Sequence, residues 1–148
     1  MAKRSIRVQV LHMALAAIGG LWLCEMAVAF EPSVNYMLQC MGCHTPDGSG
    51  AAGRVPSIRS TLLPFSALAA GRQFLVQVPG ASQSTLSDAE LADLINWMIE
   101  NLGNEPRSVV FKRFTGAEVA SYGRKPLVEV RATRESLLNA TGIEETKK

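Results

Sequence analysis

Five consecutive residues, Cys40-Met41-Gly42-Cys43-His44, restrict what this chain can fold into more than any other stretch. Two thiols two residues apart, with an imidazole directly after the second, match the attachment pattern of a c-type haem. Each thiol adds to one vinyl group and the adjacent imidazole reaches the iron. Two other chemistries share the Cys-x-x-Cys spacing. A structural zinc site needs two further Cys or His ligands, and only Cys24 and His12 remain, both near the N-terminus. A thioredoxin-like redox pair opens a helix after a strand in a βαβ unit, and no such pattern surrounds these residues. The expected cofactor is therefore one covalently attached haem c with its iron, with Cys40 and Cys43 as attachment points and His44 as the proximal ligand.

The N-terminal thirty residues read as an export signal. Lys3, Arg4 and Arg7 give a positive start, Val8 to Leu23 an apolar core, and Ala27-Val28-Ala29 a small-x-small cleavage site before Phe30. The expectation is a signal peptide over 1–29, removed after Ala29, and a periplasmic mature chain. An uncleaved membrane anchor is the alternative, since Val8 to Phe30 is just long enough to span, although Glu25 and Gly19-Gly20 weaken it. A lipoprotein cut at Cys24 is disfavoured by the bulky Leu23 before it. A membrane is a partner only if the leader stays. An exported chain lives in an oxidising compartment, and after cleavage it keeps no thiol besides Cys40 and Cys43, so no structural disulfide is expected.

Charge narrows the partners. The whole chain carries a formal net charge of +2, but removing the leader takes three cations and one anion with it and leaves the mature chain neutral. Over 30–103, Arg54, Arg59 and Arg72 face Glu31, Asp47, Asp88, Glu90, Asp93 and Glu100; the cation surplus lies in 104–148. Neither part has a concentrated basic patch, so nucleic acid is not an implied partner.

In chain order, Glu31-Pro32-Ser33 starts a helix that runs through Val34 to Gln39 into the haem motif. Thr45 to Ile58 is a loop, because Asp47, Gly48, Gly50, Gly53 and Pro56 prevent a long helix or a central strand. Ser66 is a candidate cap for a helix running to about Gln77, interrupted by Gly71, and Val78-Pro79-Gly80 forces a turn. The strongest local signal follows. Ser87-Asp88-Ala89-Glu90 is a capping box, Leu91, Leu94, Ile95, Met98, Ile99 and Leu102 fall at helical spacing, and Gly103 stands where a C-terminal cap belongs. Beyond Asn104, Thr115-Gly116-Ala117-Glu118 opens a short helix ended by Gly123 and Pro126, and Thr133 to Ala140 forms one more. Apolar points such as Phe111, Phe114 and Tyr122 mark 104–148 as an arm packed over the rest, with a disordered tail as the alternative.

Cys-x-x-Cys-His, then Asp47-Gly48-x-Gly50, then Pro56 resembles the class I cytochrome c family of small monohaem electron carriers. The resemblance covers 31–103. It implies an all-α, cytochrome c-like fold of three main helices around one covalent haem, here with a C-terminal arm of short helices. It also implies that the Pro56 carbonyl accepts the proton on the far nitrogen of the His44 imidazole, fixing its orientation; a plain turn proline is the other reading. Trp97 matches the aromatic residue where the terminal helix crosses the first, and Leu94 and Met98 resemble the apolar pair that covers the haem.

One departure stands out. Members of the family take a sixth iron ligand from a methionine in the loop before the terminal helix, and here that loop, Val78 to Leu86, has neither methionine nor histidine. Met98 is the remaining thioether after His44 and is a distal candidate, although its place in a helical stripe favours core packing. Met37 shares the helix of the cysteines and does not reach the opposite face. Lys112, Tyr122 or Lys125 reach the iron only if the arm crosses the distal side, so an open sixth position is a live reading.

The function implied is periplasmic one-electron transfer, without substrate-transforming residues, from a dehydrogenase to another cytochrome or a terminal oxidase. Two alternatives remain: a haem gas-binding or sensor protein, and a cytochrome subunit of a dehydrogenase complex with the arm as its interface.

Overall fold

The computed structural model describes residues 29–104 and 110–144; the leader expectation falls almost entirely outside them. Eight helices lie among the described residues: α1 (Pro32–Gln39), α2 (Met41–His44), α3 (Leu62–Ser66), α4 (Ala69–Gln77), α5 (Pro79–Ser82), α6 (Asp88–Leu102), α7 (Gly116–Tyr122) and α8 (Val130–Thr141). The fold is all-α, as expected for a cytochrome c-like chain, and the β-type pairing seen is the isolated bridge Ala51–Val55. None of these helices is long and apolar enough to cross a membrane.

The long helix α6 is the spine. Its capping box is complete: the Glu90 amide donates to Ser87 Oγ at 3.2 Å and the Ser87 amide to Glu90 Oε2 at 2.8 Å, satisfying amides that a helix start leaves unpaired. Leu91, Leu94, Ile95 and Ile99 are each at most 1% exposed. They form the main core with Tyr36 of α1, Leu62 of α3, Val76 of α4, and Phe114 and Val119 from the arm. The Trp97 ring lies 5.6 Å from the Tyr36 ring, centroid to centroid, so α6 crosses α1 where the sequence placed the aromatic contact. Gly103 is the C-cap, but at φ −60° it is extended, so the ending does not use glycine's left-handed freedom.

The middle of the chain differs from expectation. Ser66 ends α3 instead of capping a longer helix, and its hydroxyl donates to the Leu63 carbonyl. Gly71 does not interrupt α4. It sits buried inside it because a Cβ there would lie 2.1 Å from the Phe65 carbonyl oxygen, so glycine lets α4 pack directly on the end of α3. Pro79 opens α5 after Val78 turns extended, as the residue before a proline is pushed to do.

Residues 110–144 are a packed part of the body, which removes the disordered-tail reading for them. Phe114 is 3% and Val119 0% exposed in the main core. Leu137 of α8 joins Phe65 and Phe74 in a second cluster whose two rings meet edge-on. Helix α8 spans Val130–Thr141, longer than the Thr133 to Ala140 expected, and closes on Gly142 in the left-handed region.

Polar groups fix the arm's register. Asn96, 1% exposed on α6, donates to the Phe114 carbonyl at 3.0 Å and accepts from the Phe114 amide at 2.8 Å, pairing with that residue as a neighbouring strand would. The guanidinium of Arg72 donates to both Glu118 carboxylate oxygens, at 2.5 and 2.7 Å, and to the carbonyls of Ser66, Lys112 and Arg113. It lies 3.7 Å from the centre of the Phe114 ring. The buried ion pair thus runs from a body cation to an arm anion, opposite in sense to the net charges of the two segments. Glu118 is committed to Arg72 and Tyr122, so the Thr115 motif is half a capping box: Thr115 accepts from the Glu118 amide without a reciprocal bond.

Candidate haem site

Both thiols and the imidazole stand on one turn. The chain leaves α1 at Cys40 and re-enters helical geometry at Met41, with the Cys43 and His44 amides donating to the Cys40 carbonyl at 3.1 and 3.0 Å. Cys40 is half-buried against the core beside Met41, and Cys43 is exposed. Burial, and then the neighbouring Cys43, push the Cys40 thiol up to about 11. Gly42 between them has nothing within 4 Å of where a side chain would start.

His44 is followed by a strained residue. Thr45 has φ +64°, the sole positive φ among the described non-glycine residues, and a β-branched side chain there stores energy. Among the contacts that hold it, the Tyr36 hydroxyl donates to the Thr45 carbonyl at 2.6 Å, and Thr45 Oγ1 accepts from the Gly50 amide at 3.2 Å. Gly50, at φ +74°, then folds the loop back, because a Cβ would lie 2.4 Å from the Val55 and 2.8 Å from the Pro56 carbonyl oxygen. The Gly50 amide donates to the His44 carbonyl and the Ile58 amide to the Gly48 carbonyl, both at 3.0 Å. The Asp47-Gly48-x-Gly50 pattern therefore has a mechanical reason: it brings the Pro56 backbone against His44.

The His44 ring is partly buried, and its Nδ1 is the one buried side-chain polar atom among the described residues without a hydrogen-bond partner of full geometry. Desolvation lowers the imidazole pKa first; the Pro56 carbonyl opposes this, and the Arg134 charge on α8 lowers it further. The Pro56 carbonyl is thus near enough to act on the ring without completing a well-formed bond. Burial favours the neutral form of the ring, the form able to bind a metal. These donors suit a covalent haem: two thiols on one turn, and an imidazole with one nitrogen toward a carbonyl.

Met98 is partly buried and packs against the same core as Cys40 and Met41. Lys112 and Lys125 are exposed, and the Tyr122 hydroxyl donates to Glu118 Oε1 at 2.9 Å. A cavity of about 600 Å³ lies between α3, α4 and the arm, lined by Leu63, Arg72, Phe111 and Glu118 among others. It does not include Cys40, Cys43 or His44. Sequence reasoning missed Thr45, Arg72, Asn96, Arg124 and Arg134; only Asn96 had a signal, a polar residue between buried positions of a strong apolar helix.

Two proteins named cytochrome c-552, both from Thermus thermophilus, are similar to this chain. One is 28% identical over 145 aligned residues, covering 84% of this chain and 95% of its own length. The other is 29% identical over 119 residues, 67% of this chain and 91% of its own. A match over 84% of the chain does not fit within 1–103, so the similarity runs past Gly103 into the arm and beyond the limit the sequence motifs suggested. No family model and no solved structure matches the chain. The attachment motif, the all-helical frame around it and the similarity to these two cytochromes together support a c-type cytochrome with covalently held haem.

Proposed function

We propose that this protein is a periplasmic monohaem carrier of single electrons, with the haem bound through Cys40 and Cys43 and its iron held by His44. One observation carries the reading: a single turn presents both thiols and a partly buried imidazole, whose neutral form burial favours, beside the Pro56 carbonyl. Haem supplies the one-electron couple between ferric and ferrous iron. The chain's own residues do the rest. Pro56 and the Gly50 fold would orient the His44 ring, which would hold the iron through one nitrogen and offer the other as a donor to that carbonyl. Tyr36 holds the strained Thr45 that ends the turn, and the α6 stripe keeps water from one side of the site. No residue is assigned a substrate-transforming role.

On this reading 1–29 is the cleaved leader, 30–103 the haem domain and 104–148 the extension. The electron donor is a periplasmic dehydrogenase, and the acceptor is another cytochrome or a terminal oxidase. The way Phe114, Val119 and Leu137 pack onto the body supports an arm that completes the cytochrome over one held free for a dehydrogenase.

A second reading, gas binding at an open sixth position, is favoured by one feature: segment 78–86 offers no strong ligand and Met98 is spoken for by packing. Protein-film voltammetry with optical spectra, with and without carbon monoxide, separates the two. A reversible one-electron couple supports the carrier. Tight, rapid carbon monoxide binding with no electron exchange at the electrode would favour the gas reading.

A further inference from the structure

We propose that Arg124, carried by the arm, fixes the backbone of segment 81–86 and thereby sets how readily an external ligand reaches the iron. The inference rests on the haem reading above.

The segment runs from the end of α5 toward α6, where the end of a short helix and a turn leave carbonyls short of partners within the backbone. The Arg124 side chain takes the carbonyls of Ala81, Ser82, Ser84 and Leu86. Its Nε donates to the Ser82 carbonyl at 3.3 Å, and Nη1 to the Leu86 carbonyl at 2.7 Å. Nη2 donates to the Ala81 and Ser84 carbonyls, both at 2.9 Å, and to Ser84 Oγ at 2.8 Å. Asp88, 3.5 Å away, offsets the charge. One planar fork thus spans both ends of the segment, which an ammonium of similar charge does not do. The arm holds Arg124 in place in turn: Gln77 donates to the Tyr122 carbonyl at 2.8 Å, and Gly123 turns the chain at φ +70°.

The segment borders the attachment turn. Gln39, next to Cys40, donates to Thr85 Oγ1 at 3.2 Å. Leu86 and Ala81 belong to the same apolar cluster as Cys40 and Met41. The hydroxyls of Ser82 and Ser84 are turned back onto α5, toward the Val78 and Ala81 carbonyls. A segment with no ligand of its own is therefore held in one conformation beside the site from outside. Releasing it raises the population of arrangements that admit a small molecule.

The test uses the full-length holoprotein, reduced, with carbon monoxide as the probe and flash photolysis as the readout. Arg124→Ala is expected to bind about tenfold faster than the parent, and Arg124→Lys to fall between them. Should Arg124→Ala fail to accumulate, the Lys variant carries the comparison. Equal rates in parent and variants, whatever happens to their stability, would overturn the proposal and leave Arg124 a structural residue. So would refusal of carbon monoxide by all three. Binding by the variants alone would support the role of Arg124 while sinking the reading of an open position in the parent.

Discussion

Replacing Glu118 by Gln removes one charge from the contact that holds the arm to the body, with little change of shape. The side chains of Arg72 and Glu118 are only 6% and 14% exposed, so solvent does little to screen the loss. Breaking a buried pair by neutralising one partner costs about 3–5 kcal/mol. The lower end is expected here, because Arg72 keeps three carbonyl acceptors and the face of Phe114. The pH dependence follows from the same pair. The Glu118 carboxyl lies below its ordinary value of 4.5, chiefly because Arg72 donates to it. A folded pKa below the unfolded one means the stabilisation is present in full above the unfolded value and is lost as pH falls through the folded value. Urea unfolding of the holoprotein at pH 7 should show a loss of about 3 kcal/mol for Glu118→Gln. The parent's stability should decline more steeply than the variant's as pH drops below the ordinary glutamate range, and trypsin should cut the variant's arm sooner. An unfolding free energy within about 0.5 kcal/mol of the parent, with an equally protected arm, would refute the reasoning.

Three further outcomes are expected. Asn96→Ala leaves the buried amide and carbonyl of Phe114 unpaired and should cost about 2–4 kcal/mol by urea unfolding, whereas a change under about 1 kcal/mol would mean that water replaces the side chain. Gly50→Ala should yield little mature holoprotein, since it puts a Cβ into the Val55 carbonyl at a positive φ; normal yield would show that the loop adapts. Cys40→Ala should retain haem on a denaturing gel through one thioether bond or fail to mature, and haem freed from the parent by acid-acetone extraction would count against covalent attachment.

What could be read from the sequence was local. The α6 helix announced itself because a capping box and a 3.6-residue stripe agree, and the family resemblance placed Trp97 where α6 crosses α1, where its ring meets Tyr36. The shared turn of Cys40, Cys43 and His44 was legible because the chemistry proposed for it demands five adjacent residues in a fixed order. The contacts between arm and body were hidden for a physical reason: across that boundary Arg72, Asn96 and Arg124 bind backbone carbonyls and amides 18 to 43 residues away, and backbone groups leave no mark on residue identity. Ser66 misled because a serine also bonds back to its own helix. Gly71 misled because a glycine chosen for close packing looks like one chosen for a break.

Intact-mass spectrometry of the mature protein under denaturing conditions, after treatment with a thiol alkylating agent, bears most directly on the central claim. The account predicts a single species with the mass of the polypeptide from Phe30 onward plus one haem, and no alkyl groups on Cys40 or Cys43. A haem-free polypeptide with both cysteines alkylated would contradict it.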